Sequence, residues 1–376
     1  MTAVPSYFND FLSATRLSAA LRATCSAKHL ELRQLLRDDP ALAAIIIDAF
    51  LQGSYRRDTI VRPLDPTDPN AHVDVDLVVV TTLDPEEYSP DNVVARFTPF
   101  LERNFPNHWR PNDRSIQLTY DGTPVTLDLV VTAAPSEVVR EAVIKAAEIA
   151  GRRVNGLPTL SNRALPLESD ILSLRQSVAK SAQLAEGDAW KEDYLLIPDR
   201  ELRRWEPTHP IEQIAWTQRK NATTSGHYIN VVKAVKWWRL RNNVPKHPKG
   251  YPLEHCVGTV CPDDISSVSE GVTRSLEGIV SAFEQDVLQG TKPELQDHGV
   301  AHDVFSRVTP AEFGQFYGLI ESAAALARQA LNAPTTAESA KGWRELLGPE
   351  FPEPPSNGGF TQRTAASTIA TGGRFA

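Results

Sequence analysis

Three aspartates in two apolar segments carry the strongest chemical signal in the amino-acid sequence. Asp74 and Asp76 are separated by one residue inside 73–82, which is dense in β-branched residues, and Asp128 lies inside the equally apolar 124–132. Because side chains alternate across a strand, Asp74 and Asp76 share one face while their apolar neighbours point to the other. The two segments are therefore predicted to be strands that carry carboxylates on one face of a sheet.

Such a cluster of carboxylates is unfavourable unless cations neutralise it, because like charges repel and an unpaired buried charge is costly. Carboxylate oxygens are ligands that suit Mg²⁺ and Mn²⁺. Two such ions about 4 Å apart can hold the attacking and the leaving oxygen of an in-line phosphoryl displacement. We therefore predict that Asp74, Asp76 and Asp128 are the catalytic residues and bind two Mg²⁺ or Mn²⁺ ions.

A polar turn before the first of these strands has the residue types that hold phosphate. Glycine lets the backbone approach a phosphate closely, and a serine hydroxyl together with the amides of a helix start can bind it. An isolated Asp-x-Asp pair is more often exposed to solvent, but the pair combined with Gly-Ser and a third aspartate is specific. Gly53 and Ser54 are therefore predicted to hold the β- and γ-phosphates of a substrate, and Gln52, which directly precedes them, is included in the predicted nucleotide-binding set. The chain has no Walker, dinucleotide-binding, zinc-protease or serine-hydrolase motif.

The charge distribution favours a small anionic substrate over long nucleic acid. The 376-residue chain has a formal net charge of −8, which disfavours stable binding of long nucleic acid, because phosphate neutralisation requires a basic surface. The segment 200–249 nevertheless contains eleven basic and three acidic residues. This segment is predicted to contact a concentrated anion.

Apolar periodicity predicts the elements that position these residues. The spacing of apolar residues over 7–49 predicts a long helix followed by a shorter one. The segments 115–120 and 124–132 are predicted strands joined by a tight Asp-Gly hairpin turn, and 195–198 is a predicted short strand. Two prolines predict irregular structure and a lobe boundary at 205–210.

The rest of the chain predicts three further regions. A helical insertion at 135–190 is expected within a first lobe that spans 1–205 and includes the N-terminal helix. Helices dominate 206–349, which is predicted to be a separate helical lobe. The final segment, 350–376, is rich in Pro, Gly, Ser and Thr and lacks periodicity, so a disordered tail is expected.

The three cysteines argue against a disulfide framework. Cys25, Cys256 and Cys261 have no regular spacing, and an odd number of thiols fits a reducing compartment. His255 with Cys256 and Cys261 lacks the paired spacing of a zinc site, so buried thiols are predicted instead. No apolar run is long enough to cross a membrane and no secretion signal is recognisable, so a cytoplasmic protein without a membrane partner is expected.

Gly53-Ser54, the Asp74-x-Asp76 pair and the later Asp128 resemble the signature of the polymerase-β-like nucleotidyltransferase superfamily. Within it, the chain is more similar to the cGAS/DncV-like nucleotidyltransferases, or CD-NTases, of bacterial anti-phage (CBASS) signalling. The likeness spans about residues 8–256. The residues that carry the closer likeness are 52–59, Trp205, Thr208, Pro210, 232–239, Pro252, Leu253 and Glu254.

The resemblance implies an α+β fold, in which a polymerase-β-like nucleotidyltransferase core with a mixed sheet packs against a C-terminal helical lobe. The nucleotides are then expected between the two. In the family a helix lysine at the position of Lys236 reaches the triphosphate, and Lys233 joins it in the predicted nucleotide-binding set. The alternative for Lys236 is an ordinary solvated helix face. The family often has a serine at the position of Gly250. The contact that a serine hydroxyl makes with phosphate in the family is therefore not predicted for this chain.

The resemblance implies synthesis of a cyclic di- or trinucleotide second messenger from ATP, with or without another NTP, by two-metal nucleotidyl transfer in anti-phage defence. It also implies a downstream effector that binds the product. In some family systems a ubiquitin-transfer-like ligase conjugates the C-terminus of the synthase, which makes the tail a candidate for such a partner. An ordinary frayed terminus is the alternative.

Three other functions could use the same aspartates. An RNA-extending nucleotidyltransferase is disfavoured by the acidic total charge. A transferase that modifies a small molecule is disfavoured by the long N-terminal helix and the large helical lobe. A nucleotide-binding signalling protein without turnover is disfavoured because all three aspartates are present.

Overall fold

The structure, a computed structural model, describes residues 2–65, 67–68, 71–134, 194–242 and 245–354. The predicted helical insertion at 135–190 lies outside these residues. The described part combines a mixed sheet with helices, which confirms the predicted α+β class.

The N-terminal region contains three helices in place of the predicted long and short pair. They are α1 (Pro5–Thr15), α2 (Ala19–Asp38) and α3 (Pro40–Ala43). The second helix begins at a cap, since the Ser18 hydroxyl accepts a hydrogen bond from the Leu21 amide at 3.1 Å. The predicted single long helix is therefore interrupted between α1 and α2.

The apolar run before Gly53 is a strand, and the helix predicted there is wrong. Strand β1 (Ile46–Gln52) pairs antiparallel with β2 (Val73–Thr81) and ends with Gln52 opposite Asp76. The run contains consecutive β-branched isoleucines, which favour a strand, and periodicity alone cannot separate a short buried strand from a helix. This strand carries Gln52 to the level of the aspartates.

Within the described residues, seven strands form one mixed sheet, which confirms the predicted sheet-based core. Its central pair, β2 and β5 (Val125–Ala133), is parallel and in register along the whole of both strands. Antiparallel strands β4 (Ile116–Leu118) and β3 (Trp109–Pro111) extend the sheet beyond β5. Strand β6 (Leu195–Asp199) joins the far end of β5 and pairs with β7 (Arg204–Thr208).

Strand β7 lies where two prolines predicted irregular structure, so that prediction is wrong for 205–208. Pro207 is opposite Leu196, and β7 pairs with β6 alone in the described part of the chain. Proline is tolerated on such an edge strand because its nitrogen can face away from the ladder. The predicted boundary between 1–205 and 206–349 falls inside this strand.

The two faces of the central strands have different neighbours. One face packs in a core with α2 and α5 (Pro90–Asn104). The other face is apolar toward the carboxyl ends of β2 and β5 and polar where the aspartates lie. The buried residues of the first face include Val73, Val75, Leu77, Val79, Leu127 and Leu129, and those of the second include Val78, Val80 and Val130.

The C-terminal helices build a second core, as the predicted fold class requires. Helix α1 packs in this core rather than on the sheet, because Phe8 contacts Trp343 with ring centroids 4.9 Å apart. The helices are α6 (Pro210–Thr223), α7 (Tyr228–Arg241), α8 (Tyr251–Val260), α9 (Val268–Leu288), α10 (Pro310–Asn332) and α11 (Thr336–Leu347).

The first residues of the predicted tail belong to this second core. Phe351 is fully buried, and its ring centroid lies 5.1 Å from that of Phe8. Glu350 forms ion pairs with Arg62 and Arg241, each at 3.4 Å. The expected start of disorder at residue 350 is therefore wrong for these residues, and 355–376 lie outside the described chain.

The cysteines are free and buried, as predicted. Burial raises the pKa of Cys25 to about 11. The His255 ring packs against that of His298, with centroids 4.2 Å apart and the ring planes tilted by 39°, and forms no metal-binding group with the thiols among the described residues. None of the described helices is both long and apolar enough to cross a membrane.

Candidate active site

Three neighbouring strands bring Gln52, Asp76 and Asp128 into one row. Gln52 of β1 is opposite Asp76 of β2, which is opposite Asp128 of β5. Directly opposed residues on paired strands have their side chains on the same face of the sheet. Asp74 shares that face because it precedes Asp76 by two residues. The parallel register of β2 and β5 therefore brings the three carboxylates together.

A glycine closes this row at the edge formed by β1. Helix α4 (Gly53–Arg56) begins directly after Gln52, and Gly53 has a φ of +71°, in the left-handed region that favours glycine. A Cβ atom on Gly53 would lie 1.7 Å from Oδ2 of Asp76. Only glycine therefore fits here, and the first amides of α4, which have no partner within the helix, begin beside Asp76.

Ser54 is the second residue of α4 and is partly buried. Its carbonyl oxygen accepts hydrogen bonds from the amides of Thr59 and Ile60 at 2.9 and 3.1 Å. These bonds fold the chain back after the helix and fix Ser54 beside Gly53. The structure thus places Gln52, Gly53 and Ser54 together at one end of the aspartate row.

The aspartates carry more negative charge than their surroundings neutralise. Burial raises the pKa of Asp128 to about 7, and the charges of Asp76 and Asp74 add to the rise. Burial also raises the pKa of Asp76 to about 6, where Asp74 acts in the same direction while Arg57 and Lys236 oppose it. Because both pKa values are raised, ionising these two carboxyl groups is unfavourable unless a cation lies nearby.

One oxygen of Asp128 marks a place for a cation. Oδ1 of Asp128 is buried and has no hydrogen-bond partner in the described structure. A carboxylate oxygen in this state is strongly destabilised without a partner and is a natural ligand for a metal ion. Asp74, in contrast, accepts a hydrogen bond from the hydroxyl of Thr126 on the neighbouring strand.

The donor set fits Mg²⁺ or Mn²⁺, since it consists of carboxylate oxygens with excess negative charge beside a backbone that approaches closely. Across the described ranges, no three His, Cys, Asp or Glu side chains already surround a single point. The register brings the three aspartates to one face, but their side chains do not yet surround a single point, and that of Asp74 is engaged by the Thr126 hydroxyl. The site is open rather than preformed.

Lys236 lies within electrostatic reach of Asp76. Its Nζ donates hydrogen bonds to Oε1 of Glu254 at 2.6 Å and to the carbonyl oxygen of Thr59 at 3.3 Å. Its charge acts to lower the pKa of Asp76 against the larger effect of burial. Helix α7 therefore delivers one cation to the end of the row where α4 begins.

Lys233 has a different position from Lys236. It is almost fully buried, and its Nζ donates to Oδ2 of Asp58 at 3.0 Å. Burial lowers the pKa of Lys233, and Asp58 opposes that effect. Asp58 also pairs with Arg22 at 3.3 Å. The structure therefore ties Lys233 to the turn after α4 rather than to the aspartates.

Arg57 and Glu254 belong to the site, although sequence analysis included them only as part of a family likeness. Nε of Arg57 donates to Oε2 of Glu254 at 3.0 Å, and both side chains are almost fully buried. The Arg57 guanidinium also lies over the Tyr251 ring, 4.9 Å from its centroid. A signal for Glu254 was available, because it is an acid at a buried position of the otherwise apolar start of α8.

A mixed sheet that presents a Gly-Ser helix start and three carboxylates on one face defines a nucleotidyltransferase site. The family model of the Second Messenger Oligonucleotide or Dinucleotide Synthetase domain matches residues 1–132. The chain is 39% identical over 383 residues to the cyclic AMP-AMP-GMP synthase of Enterobacter hormaechei subsp. hoffmannii (strain UCI 50), with 98% of each chain covered. It is 28% identical over 365 residues to the cyclic AMP-AMP-AMP synthase of Acinetobacter sp. (strain ATCC 27244 / 9458), covering 96% of this chain and 89% of that relative.

Solved structures share the fold at low sequence identity. Escherichia coli MS115-1 CdnC with ATP superposes with a TM-score of 0.59 at 13% identity, covering 92% of this chain and 98% of that chain. The Bradyrhizobium diazoefficiens CD-NTase CdnG with GTP superposes with a TM-score of 0.63 at 11% identity, covering 92% and 95%. The chain belongs to the cGAS/DncV-like nucleotidyltransferases, or CD-NTases, a family of cyclic oligonucleotide synthases.

Proposed function

We propose that the protein synthesises a cyclic trinucleotide from ATP and GTP, with two adenylates and one guanylate in the ring. Support comes from the cyclic AMP-AMP-GMP synthase that is 39% identical over nearly the whole of both chains. The observation that carries the proposal is the in-register row of Gln52, Asp76 and Asp128 with Gly53 fitted against Asp76. This arrangement is suited to nucleotidyl transfer.

The aspartates are proposed to hold two Mg²⁺ or Mn²⁺ ions. When bound, such ions neutralise the triphosphate and make the attacking hydroxyl more acidic. Asp74, Asp76 and Asp128 bind the ions, and Gln52, Gly53 and Ser54 contact the β- and γ-phosphates of the donor with the first amides of α4. Lys236 adds positive charge at this end of the row. Lys233 supports the turn after α4 through Asp58 and acts on phosphate only indirectly.

Each phosphodiester forms by the same exchange of bonds. The ribose hydroxyl of one nucleotide attacks the α-phosphorus of another, a new O–P bond forms, and the bond to pyrophosphate breaks. The hydroxyl proton leaves to solvent or to a carboxylate of the row. Two such steps give a linear trinucleotide, and a third, within the same molecule, closes the ring and releases the third pyrophosphate.

The test is incubation of the purified protein with all four NTPs and Mg²⁺ or Mn²⁺, with phosphatase-resistant products identified by mass spectrometry. The double variant Asp74→Asn/Asp76→Asn serves as the control. A cyclic product with two adenylates and one guanylate, absent from the variant, is the expected result. A metal-dependent product that is an extended RNA, or a cyclic product without guanylate, would contradict the proposal.

The cellular role is proposed to be anti-phage (CBASS) signalling in the cytoplasm, where the cyclic product activates an effector. A ubiquitin-transfer-like ligase is proposed to conjugate the C-terminal end of 350–376, as the family likeness suggests. Removal of the last few residues should abolish conjugates of the synthase in cells and weaken phage protection. Unchanged protection and unchanged conjugates after this truncation would refute the role of the tail.

A further inference from the structure

The row of polar side chains does not end at Asp128. Gln117 of β4 is opposite Asp128, and Arg110 of β3 is opposite Gln117. One line of directly opposed residues therefore crosses five strands, from Gln52 through Asp76 and Asp128 to Gln117 and Arg110. Directly opposed side chains share a face, so Gln117 and Arg110 stand on the same face as the aspartates.

The neighbours of these two residues point the other way and are apolar. Ile116 and Leu118 of β4 are buried in the core under α2 and α5, and Trp109 of β3 packs against the same core. The polar and apolar residues of β3 and β4 therefore alternate as a two-faced sheet requires. This alternation fixes Gln117 and Arg110 on the face of the active site.

Both polar side chains are available for a ligand. Arg110 is exposed and Gln117 is partly exposed. Among the described residues, neither side chain has a hydrogen-bond or ion-pair partner, whereas nearby Arg114 donates to Asp199 at 2.6 Å. Burial raises the pKa of Asp128, and the charge of Arg110 acts in the opposite direction, which places this arginine within electrostatic reach of the carboxylate.

The geometry of in-line displacement assigns the two ends of the row. The pyrophosphate leaves on the side of the attacked phosphorus opposite the incoming hydroxyl. Because the donor triphosphate is proposed to lie at Gly53 and Ser54, the nucleotide that supplies the hydroxyl must extend past Asp128 in the other direction. Neighbouring strands are about 4.8 Å apart, so Gln117 and Arg110 lie about 5 and 10 Å beyond Asp128. That span matches a bound nucleotide.

We propose that Gln117 and Arg110 form the acceptor subsite, which binds a 5′-phosphorylated nucleotide or the 5′-phosphorylated linear intermediate. The assignment rests on the proposed function. The Arg110 guanidinium pairs with the 5′-phosphates of the acceptor, since its planar donors match phosphate oxygens. The Gln117 amide hydrogen-bonds to the nucleoside part, with both a donor and an acceptor to offer. The subsite thus retains the linear intermediate between successive additions.

The test compares two acceptors that differ only at the 5′ end. The linear dinucleotide intermediate is isolated from wild-type reactions, and half is treated with phosphatase to leave a 5′-hydroxyl. Extension of each form by one radiolabelled nucleotide gives kcat/KM. The wild type should extend the triphosphorylated form about tenfold or more faster, as expected for charge-assisted contacts to phosphate. Arg110→Ala should bring the ratio close to one, and Arg110→Lys should restore part of it.

Two further variants separate the contributions. Gln117→Ala should weaken both acceptors by a similar factor, because its contact is with the nucleoside rather than the phosphates. Arg37→Ala is the matched control, since Arg37 is an exposed arginine of α2 that hydrogen-bonds Gln34. Binding of each dinucleotide without metal, measured by fluorescence anisotropy, gives a readout that does not depend on turnover, and Arg110→Ala should reduce affinity for the triphosphorylated form alone.

An unchanged ratio in Arg110→Ala, or an equal loss for both acceptors, would overturn the assignment of Arg110. A wild type that forms no cyclic product and extends neither acceptor would overturn the proposed function itself, and the subsite with it. The two failures are distinguishable because the first leaves cyclic product formation by the wild type intact. Binding of a nonhydrolysable ATP with Mg²⁺ should be the same in all these variants, since the donor end of the row is unaltered.

Discussion

Two desolvated carboxylates near the site, Asp128 and Glu254, have neighbours of opposite charge: mainly other carboxylates around Asp128, and cations around Glu254. Burial raises the pKa of Asp128 to about 7, and the neighbouring aspartates add to the effect. Glu254 is even less exposed, and burial acts on it in the same direction, but Arg57 and Lys236 lower its pKa to about 2. The same desolvation therefore has opposite net results, because Glu254 forms ion pairs with two cations, whereas Asp128 forms none among the described residues and has only the more distant charge of Arg110 to oppose burial.

This difference separates a structural carboxylate, Glu254, from one that we propose to bind a metal ion, Asp128. Glu254 joins Arg57 after α4 to Lys236 of α7, so it stabilises the junction between the sheet and the helices. Among the described residues, Asp128 has a buried oxygen without a partner, which makes the folded protein less stable at the place where we propose that a cation binds. Substitutions at the two positions should therefore have opposite effects on stability and unequal effects on activity.

The largest expected effect is on activity at Asp128. Asp128→Asn should lower the rate of cyclic product formation on the order of 1000-fold or more, because the amide removes a charge from the metal site. Asp121→Asn is the control, since Asp121 is a highly exposed aspartate in the hairpin turn before β5. The rates are measured by product quantification at saturating NTP. Wild-type activity in both variants would contradict the assignment of Asp128 as a catalytic residue.

At Glu254 the largest effect should be on stability. Glu254→Gln leaves Arg57 and Lys236 without their buried counter-charge, so the free energy of unfolding should fall by about 3 kcal/mol. Glu277→Gln breaks an ion pair with Arg328 in which both side chains are more than a third exposed, and should cost less than about 1 kcal/mol. Urea denaturation at pH 7.5 measures both, and equal losses would remove the distinction drawn for Glu254.

The chemical residues were more predictable from sequence than the contacts that hold them. Asp74, Asp76 and Asp128 stood out because a charge inside a β-branched apolar strand violates local pattern. The register that sets Asp76 opposite Asp128 required the structure, because it depends on the parallel pairing of β2 with β5 across about fifty residues. The pairing of Arg57 with Glu254 spans 197 residues, and no local pattern joins them.

Elements were missed where two local signals conflicted. The apolar run of β1 has a pattern that also fits a buried helix, so the sequence alone favoured the wrong element. Its pairing with β2, which makes it a strand, is visible only in the structure. In β7, the prolines indicated irregular structure, but an edge position tolerates them. Arg110 and Gln117 gave no sequence signal because an exposed arginine and glutamine are ordinary on a strand; only the register aligns them with Asp128.

The stabilisation of the protein by Mg²⁺ should depend on pH through the raised pKa of Asp128. Burial raises the pKa of Asp128 from its ordinary value of 3.8 to about 7 in the folded protein. The unfolded chain therefore loses this proton at a lower pH than the folded chain, and the metal-free protein loses stability as the pH rises from about 4 to 7. Excess Mg²⁺ should therefore raise the free energy of unfolding by on the order of 2 kcal/mol at pH 8 and by little at pH 5.

Thermal denaturation with and without Mg²⁺ at both pH values measures this linkage. Asp128→Asn should stabilise the metal-free protein at pH 8 and remove most of the Mg²⁺ effect, while the Asp121→Asn control should behave as the wild type. An equal Mg²⁺ effect at pH 5 and pH 8 in the wild type would show that the raised pKa of Asp128 does not govern ion binding.

The smallest expected effect is on the pH dependence of stability at His29. Among the described residues, this buried side chain has neither an ion-pair partner, as Glu254 has, nor a place in the proposed metal site, as Asp128 has. Both ring nitrogens lack a partner within the described residues, and burial, assisted by Arg33, lowers the pKa of His29 to about 4. Because the unfolded residue binds its proton near pH 6.5, stability is complete above that value and is lost as the pH falls toward 4. Between pH 7.5 and 5.5 the loss should be about 1 kcal/mol. His29→Leu should remove it in urea denaturation at the two pH values, and an unchanged pH dependence in this variant would assign the acid sensitivity to other groups.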